Sequence, residues 1–334
     1  MAARDLNELR AEGKLMMANH PAVVAALGRR AIDGGVAAGA TSGSSAATGE
    51  ARVAAAFGSA RRAGRGAALM PFLVGGFPTA DLSLRIAHAY ADNGADLVEL
   101  GIPCRAARLD GPVIRAAAGA ALAAGATVQS VLEVARAASA RVAVVVMSYA
   151  SAVRARGARR FADDLCAAGV CGLVVPDLHP HELAELRGAC EALGIAFVPL
   201  IAPTTPDSAV ADLGARARGF VYATSVSGTT GERASLAEDV GALIGRARAH
   251  TSAPVALGFG ISTPEHAAQA ARAGADGVIV GSRLVRAAIE AGDPVTATGE
   301  LTARFAAALT EGSVAVGALA KRSEKVRPSV VAAP

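Results

Sequence analysis

Short apolar runs recur along the chain, separated by longer stretches in which Ala, Leu and Val return every three or four residues. A run that is apolar on both faces is typical of a strand in a parallel sheet covered by helices, and the longer spacing is typical of amphipathic helices. Several helical stretches end at a glycine just before the next run, as at Gly94 and Gly274. The pattern predicts eight strands, at 68–74, 96–100, 141–147, 170–175, 195–201, 219–224, 254–258 and 277–280.

Eight strand-helix units over roughly 250 residues match the length of a closed (β/α)8 TIM barrel. An open, doubly wound sheet is the competing architecture, but it usually has fewer strands and a glycine-rich dinucleotide loop after the first. Here the first run is followed by Gly75-Gly76-Phe77-Pro78, which does not match that loop. The sequence therefore predicts an α/β protein of the barrel class.

The first 48 residues have a different composition and include a stretch of Gly, Ala, Ser and Thr that can bury little. We interpret residues 1–48 as a low-complexity N-terminal extension that is partly disordered. The Ala-rich stretch from Glu50 to Arg62 predicts an extra helix before the first strand. We expect the catalytic barrel domain to cover residues 49–325.

Charge and aromatic content narrow the possible partners. The net charge is +4, but the arginines are scattered along predicted helices and only 3% of residues are aromatic, so nucleic-acid binding is not expected. The charged N-terminus has no apolar signal region and no later run could span a bilayer, which predicts a cytoplasmic protein without membrane contact. The four cysteines lack Cys-x-x-Cys spacing, so we expect neither a zinc site nor a disulfide framework.

Two carboxylates, Glu99 and Asp110, lie around the end of the second predicted strand. A Glu inside an apolar run has its pKa raised unless it is paired, and a carboxyl tuned toward neutrality suits proton transfer. A Glu at the exposed rim of the strand beside a turn Asp explains the same residues equally well. The position of the pair favours a catalytic role, because barrel enzymes keep their reacting groups at the carboxyl ends of the strands.

Other polar residues collect at the same predicted ends. Tyr149 and Tyr222 both fall there, either contacting a substrate or packing in the barrel with satisfied hydroxyls. Asp177, His179 and His181 are spaced like metal ligands, but no fourth ligand is near, so we expect no metal.

Glycines after the last strands predict a phosphate site. Gly281-Ser282 opens directly into a helical stretch, and a helix start beside the seventh and eighth strand loops is the usual barrel phosphate site. Gly260 permits close backbone approach, and residues 227–231 form a candidate flap that adds a further N–H. We therefore expect a small phosphorylated substrate.

These residues together resemble the tryptophan synthase alpha subunit family, over the region from about residue 52 to residue 292. The matching stretches keep their order and spacing, which makes the resemblance specific. They are Met70-Pro71-Phe72 through Gly76-Phe77-Pro78, Glu99-Leu100-Gly101-x-Pro103, Asp110-Gly111-Pro112-x-Ile114, Val175-Pro176-Asp177-Leu178, Tyr222 through Ser227-Gly228-x-Thr230-Gly231, Gly258-Phe259-Gly260-Ile261-Ser262 and Gly281-Ser282.

The resemblance implies a lyase of aromatic amino-acid biosynthesis that cleaves indole-3-glycerol phosphate to indole and glyceraldehyde 3-phosphate, without metal or cofactor. Glu99 would act as general acid and base, and Asp110 would hold the indole N–H. The implied partner is a tryptophan synthase beta subunit in an α2β2 heterotetramer. The resemblance also assigns substrate-binding roles, with the ring and glycerol held by Phe72, Tyr149 and Tyr222, the phosphate by Gly231, Gly260, Gly281 and Ser282, and the flap closed by Thr230.

The chain departs from the family pattern between the two carboxylates. The family generally has an aromatic or similar residue and then Ser-Asp-Pro, whereas this chain has Cys104-Arg105-Ala106-Ala107 followed by Arg108. A guanidinium close to Glu99 would favour its charged form and make it a poorer proton donor. Arginines that point to solvent would instead act mainly on partner docking.

Three functions remain open from the sequence. The first is an alpha-type lyase in tryptophan biosynthesis, and the second is a stand-alone indole-producing lyase whose partner interface has drifted. The third is a non-catalytic barrel that binds a phosphorylated ligand and docks to or regulates a beta subunit. Retention of both Glu99 and Asp110 favours an enzyme, because a binding module has no need for that pair.

Overall fold

The strands form one parallel sheet that curls into a barrel. The computed structural model describes residues 47–224, 231–232 and 240–324, and side chains as far as residue 310. The predicted extension at 1–48 lies almost wholly outside these residues, so its boundary stays a prediction. The strands are β1 (Ala68–Val74), β2 (Leu97–Gly101), β3 (Ala143–Met147), β4 (Gly172–Val174), β5 (Ala196–Phe197), β6 (Leu200–Ile201), β7 (Val221–Thr224), β8 (Val255–Gly258) and β9 (Gly277–Val280).

The order of strands in the sheet is β5-β4-β3-β2-β1-β9-β8-β7-β6, with every described pair parallel. Its two outer strands, β5 and β6, belong to one short segment. The Val198 N–H donates to the Leu173 carbonyl on one side of this segment, and the Pro199 carbonyl accepts from the Tyr222 N–H on the other, both at 2.9 Å. The segment therefore joins β4 to β7 and closes the barrel.

This closure confirms the predicted (β/α)8 architecture, with one refinement. The fifth predicted run, at 195–201, forms two short strands because it changes partner strand at Pro199. The first strand pairs with the second and also with the last, and the register places Ala68 opposite Gly277.

Helices follow the strands and cover the outside of the barrel. The last of them along the chain packs against the second, tenth and eleventh helices. The helices are α1 (Gly49–Arg62), α2 (Ala80–Asp92), α3 (Pro112–Ala123), α4 (Val128–Ser139), α5 (Ala150–Arg156), α6 (Ala158–Ala167), α7 (Pro180–Ala192), α8 (Asp207–Ala215), α9 (Val240–Arg248), α10 (Pro264–Arg272), α11 (Ser282–Glu290) and α12 (Pro294–Glu324).

Helix α1 is the extra N-terminal helix that the sequence predicts, and it closes the amino-terminal end of the barrel. Val53 and Phe57 are fully buried among the residues that fill this end. The Phe57 ring lies so close to Gly277 that a Cβ there would come within 2.9 Å of it. The Arg52 guanidinium donates to the carbonyls of Ser139 and Gly169, at 2.6 and 3.1 Å. Of the two ends of the barrel interior, the carboxyl-terminal one is therefore the end left open to a ligand in the described part of the chain.

None of the single helices in the described ranges is both long enough and apolar enough to cross a membrane. The pair α3 and α4 reaches the necessary length and composition only together, with a bend of 107° between them.

Candidate active site

Strand β2 points Glu99 into the barrel. Side chains alternate along a strand, and Val98 and Leu100 pack toward the helices while Leu97 packs among the interior residues. Glu99, on the interior face, lies in register with Phe72 of β1 and with Val145 of β3. It is 3% exposed, so the sequence-based possibility of a Glu on an exposed rim is wrong.

Asp110 lies in the loop between β2 and α3, immediately before the residue that caps α3. Its side chain belongs to a residue only 6% exposed and lines the same cavity as Glu99. The two predicted carboxylates are thus brought together at the carboxyl-terminal end of the barrel.

The cavity has two parts, of about 460 and 390 Å³, which meet at the two carboxylates. The first part is rich in glycine backbone at the ends of the last strands, and the second is lined mainly by apolar side chains from β4 and the segment after β5. Both parts share Glu99, Asp110, Met147, Tyr222 and Phe259. A ligand with an apolar ring at one end and an anion at the other would have its middle beside the carboxylates.

Burial and the neighbouring Asp110 charge raise the pKa of Glu99 to about 8. Among the described residues, no hydrogen bond or ion pair holds the Glu99 carboxylate. Glu99 is therefore protonated at neutral pH and can donate a proton.

The pKa of the Asp110 carboxyl is raised less than that of Glu99. Burial raises its pKa to about 6, while the Tyr149 hydroxyl and the Arg115 charge act in the opposite direction. The Tyr149 hydroxyl faces Asp110 but makes no hydrogen bond of good geometry. Because the pKa of Glu99 is raised further than that of Asp110, the pair holds one proton near pH 7 and Glu99 is the favoured site for it.

Two glycines make room for the aromatic walls of the cavity. A Cβ on Gly101 would come within 2.7 Å of the Phe72 ring, and one on Gly258 within 2.5 Å of the Tyr222 ring. Phe259 meets Tyr222 edge to face, with ring centroids 6.2 Å apart. Phe72 and Tyr222 both line the cavity, as the sequence resemblance implies.

Tyr149 occupies a different place from the one expected. It packs with Ala107 and Leu109, behind Asp110, and is not part of the described cavity wall. Its hydroxyl acts on the Asp110 carboxylate, so any effect on a ligand would pass through Asp110.

The glycine-rich part of the cavity ends at the start of α11. Gly231, Gly260, Gly281 and Ser282 all line it, as predicted for a phosphate site. Gly281 is the N-cap of α11, so the unpaired N–H groups of the first turn face this region. Thr230 lies outside the described residues.

An ion pair fixes the segment that carries Gly231. Glu232 accepts from the Arg286 guanidinium of α11 at 2.5 Å. This contact joins the residue after Gly231 to α11, although nothing in the sequence spacing indicates the pair.

The altered loop turns its arginines outward. Arg105 and Arg108 are exposed, while Ala107 and Leu109 are buried against Tyr149. Neither arginine contributes to the pKa of Glu99 or Asp110. Of the two possibilities left open by the sequence, the structure supports solvent-facing arginines.

The loop after β4 contributes contacts that stabilise the local structure. Asp177 accepts a 2.7 Å hydrogen bond from the Ala150 N–H at the start of α5, and His179 stacks on His181 with ring centroids 6.0 Å apart. No group of three His, Cys, Asp or Glu within the described ranges could hold a metal ion.

Two residues of the cavity wall, and one charge that acts on Asp110, were not predicted as site residues from the sequence. Phe259 was visible between two glycines, and its φ of 66° is uncommon for a residue other than glycine. Met147 ends β3 and could have been found by its position at a strand end. Arg115, which acts on Asp110, carries no signal in the sequence because it lies on a helix face.

Comparison with known proteins places the chain among close relatives. Residues 58–312 match the family model described as the tryptophan synthase alpha chain. The tryptophan synthase alpha chain of Roseiflexus castenholzii is 40% identical over 258 residues, which cover 76% of this chain and 96% of that one. That of Prochlorococcus marinus is 42% identical over 221 residues, covering 66% of this chain and 80% of the relative.

Solved structures agree with the sequence relatives. A tryptophan synthase structure from Mycobacterium tuberculosis superposes with a TM-score of 0.72 at 37% identity, covering 78% of this chain and 98% of that chain. The tryptophan synthase subunit alpha of Legionella pneumophila gives a TM-score of 0.70 at 30% identity, covering 80% and 100%.

Proposed function

This chain belongs to the tryptophan synthase alpha chain family, the lyases that cleave indole-3-glycerol phosphate to indole and glyceraldehyde 3-phosphate in tryptophan biosynthesis, and we propose that it performs this cleavage with Glu99 and Asp110 as its reacting groups. One observation carries the assignment. The two carboxylates lie where an apolar cavity meets a glycine-rich one, and the scissile bond of this substrate lies between its ring and its phosphate.

The protonation states of the two carboxylates suit a retro-aldol cleavage. Glu99, protonated near pH 7, donates its proton to indole C3, and the positive charge that develops on the ring nitrogen is stabilised by the Asp110 carboxylate. Glu99, now a carboxylate, accepts the proton of the glycerol hydroxyl next to C3. The carbon-carbon bond breaks, its electron pair returns to the indole ring, and the hydroxyl carbon becomes the aldehyde. Glu99 ends the cycle protonated.

The remaining predicted residues position the substrate. Phe72 and Tyr222 would contact the indole ring and glycerol, while Tyr149 would act through Asp110. The phosphate would be bound by backbone N–H groups at Gly231, Gly260, Gly281 and Ser282, favoured by the N-terminus of α11. The proposed role of Thr230 is closure of the flap toward Asp110.

The proposal extends to a partner. Members of this family normally pair with a beta subunit, and we expect a cytoplasmic α2β2 heterotetramer here. The outward-facing Arg105 and Arg108 change the charge of the loop that would face such a partner, which favours a partner with complementary acidic residues. The same observation supports the second candidate, a stand-alone lyase that releases indole.

The test is indole release from indole-3-glycerol phosphate by the purified chain, with and without a beta subunit. We compare the wild-type chain with Glu99→Gln, and with Glu133→Gln as a matched control on the exposed face of α4. Release that the beta subunit increases supports the heterotetramer, and equal release in both conditions supports the stand-alone lyase. Absence of indole in both would contradict the enzyme and favour the non-catalytic barrel.

A further inference from the structure

A second large cavity lies outside the barrel wall. It is open to solvent on one side, spans about 510 Å³ including that open space, and is lined by α7, by the end of α8 and by the segment that runs from β5 into β6. Its walls are mostly apolar, including Leu183, Phe197 and Leu213, with Arg187 and Arg216 as its charged members. A mostly apolar wall with a few charged groups is typical of small-molecule sites.

Arg187 is the unusual member of this wall. Only 22% of its side chain is exposed, and its described ion-pair partner, Glu191, is 3.7 Å away on the same helix. Its guanidinium makes no hydrogen bond within the described residues. Its donors are therefore available to a planar anion in the cavity, which a guanidinium can bind through two parallel hydrogen bonds.

Arg216 lies across the same cavity and is better paired. Its guanidinium contacts Asp212 at 2.8 Å, again within its own helical segment. The two arginines reach the cavity from different helical segments, Arg187 from α7 and Arg216 from the end of α8.

This second cavity, the outer cavity, shares part of its wall with the reaction cavity, which is the cavity that contains Glu99 and Asp110. Pro176 and Leu200 line both of them. A single layer of residues therefore separates the two cavities next to the point where β5 and β6 meet.

We propose that the outer cavity is a second ligand site, for a small anion with an apolar ring, whose carboxylate or sulfonate pairs with Arg187 and Arg216. The ring lies against Leu183 and Leu213. Occupation of this site alters turnover in the reaction cavity through Pro176 and Leu200. The binding part stands without any assumption about the reaction, and the effect on turnover rests on the proposed function.

The binding part is tested by calorimetry with naphthalene-2-sulfonate and with its neutral counterpart, naphthalene-2-sulfonamide. We expect the sulfonate to bind at least tenfold more tightly than the sulfonamide, and Arg187→Gln to remove most of that difference. Arg159→Gln is the matched control, because Arg159 also pairs with an acid at i+4 and lies away from the cavity. Equal binding of the two probes, or an unchanged affinity in Arg187→Gln, would overturn the proposal.

A second experiment distinguishes binding in the outer cavity from binding in the reaction cavity. Leu213→Trp fills the outer cavity and should abolish sulfonate binding, whereas saturation of Glu99→Gln with indole-3-glycerol phosphate should leave it in place. Displacement of the probe by that substrate would place it in the reaction cavity and refute the site.

The coupling is tested by indole release in saturating naphthalene-2-sulfonate. We expect kcat or KM to change at least twofold in the wild-type chain and to stay constant in Leu213→Trp. Turnover unaffected by bound probe contradicts the coupling. If the chain forms no indole, the proposed function fails, and the calorimetry still decides whether the site exists.

Discussion

Strand β2 has a buried carboxylate near each end, and the two differ in their partners. Asp96, just before the strand, accepts a 2.8 Å hydrogen bond from the Leu69 N–H and pairs with the Arg65 guanidinium. Glu99, three residues later, has no such partner among the described residues. Burial raises the pKa of both, to about 6 for Asp96 and about 8 for Glu99. A raised pKa thus indicates only that a carboxylate is buried. What distinguishes the reacting carboxylate is that it has no hydrogen-bond or ion-pair partner among the described residues.

The amino-terminal end of the barrel repeats the Asp96 arrangement. Asp276, which also follows a Gly-Ala pair, accepts a 2.9 Å hydrogen bond from the Val255 N–H and pairs with Arg248 at 2.8 Å. Both carboxylates fasten the start of one strand to its neighbour. This end of the barrel therefore serves stability, and the other end serves chemistry.

The largest expected effect is the loss of turnover in Glu99→Gln. Because the amide can neither donate nor accept the catalytic proton, we expect kcat for indole release to fall about 10³-fold. Phosphate-dependent substrate binding, measured by calorimetry, should change little. A variant that retains more than a tenth of the activity would show that Glu99 is not the acid.

At the amino-terminal end of the barrel, Asp96→Asn should lower stability and leave turnover intact. Loss of the charge leaves Arg65 buried without its counter-ion, so we expect the free energy of unfolding to fall by about 2 to 4 kcal/mol. Urea denaturation at pH 7.5 measures this. The exposed pair of Asp92 and Arg141 supplies the control, and Asp92→Asn should cost under about 1 kcal/mol. Activity per folded molecule should survive both changes.

Glu99→Gln should also stabilise the protein at neutral pH. The folded pKa of Glu99, about 8, lies above its ordinary value of 4.5, so the wild-type chain loses stability as the pH rises from 4.5 toward 8. The amide does not ionise, and we expect a gain of about 1 to 3 kcal/mol at pH 7.5 that disappears near pH 4. Paired urea titrations at the two pH values provide the measurement. An equal difference at both would point to packing instead of ionisation.

The smallest effect concerns the pH profile and Arg115. If Asp110 must be ionised and Glu99 protonated, kcat/KM should be bell-shaped with limbs near pH 6 and pH 8. Arg115 lowers the pKa of Asp110, so Arg115→Gln should move the acidic limb upward by less than about one unit, and added salt should reduce that difference. A shift of the basic limb alone would reject this assignment.

The strands could be predicted from the sequence because each is a continuous apolar run. The carboxylate pair could be predicted because it lies around the end of one of these runs. The division of the fifth run could not, since it depends on which neighbours Val198 and Pro199 find across the sheet. The reaction cavity was predicted best where a glycine or a charge lies at a strand end. Arg115 and Arg187 were missed because the charge of a helix residue comes near Asp110, or near a cavity, only after folding.

The pairing of β1 with β9 has a consequence for synthesis. On the ribosome, the edge of β1 that Ala68 presents to Gly277 has no partner strand until more than two hundred further residues have been made. Until then, the incomplete chain carries an open apolar sheet edge, the kind of surface that pairs with other chains. The last strand therefore serves as protection for the first, and chains ending before residue 277 would need a chaperone to remain in solution.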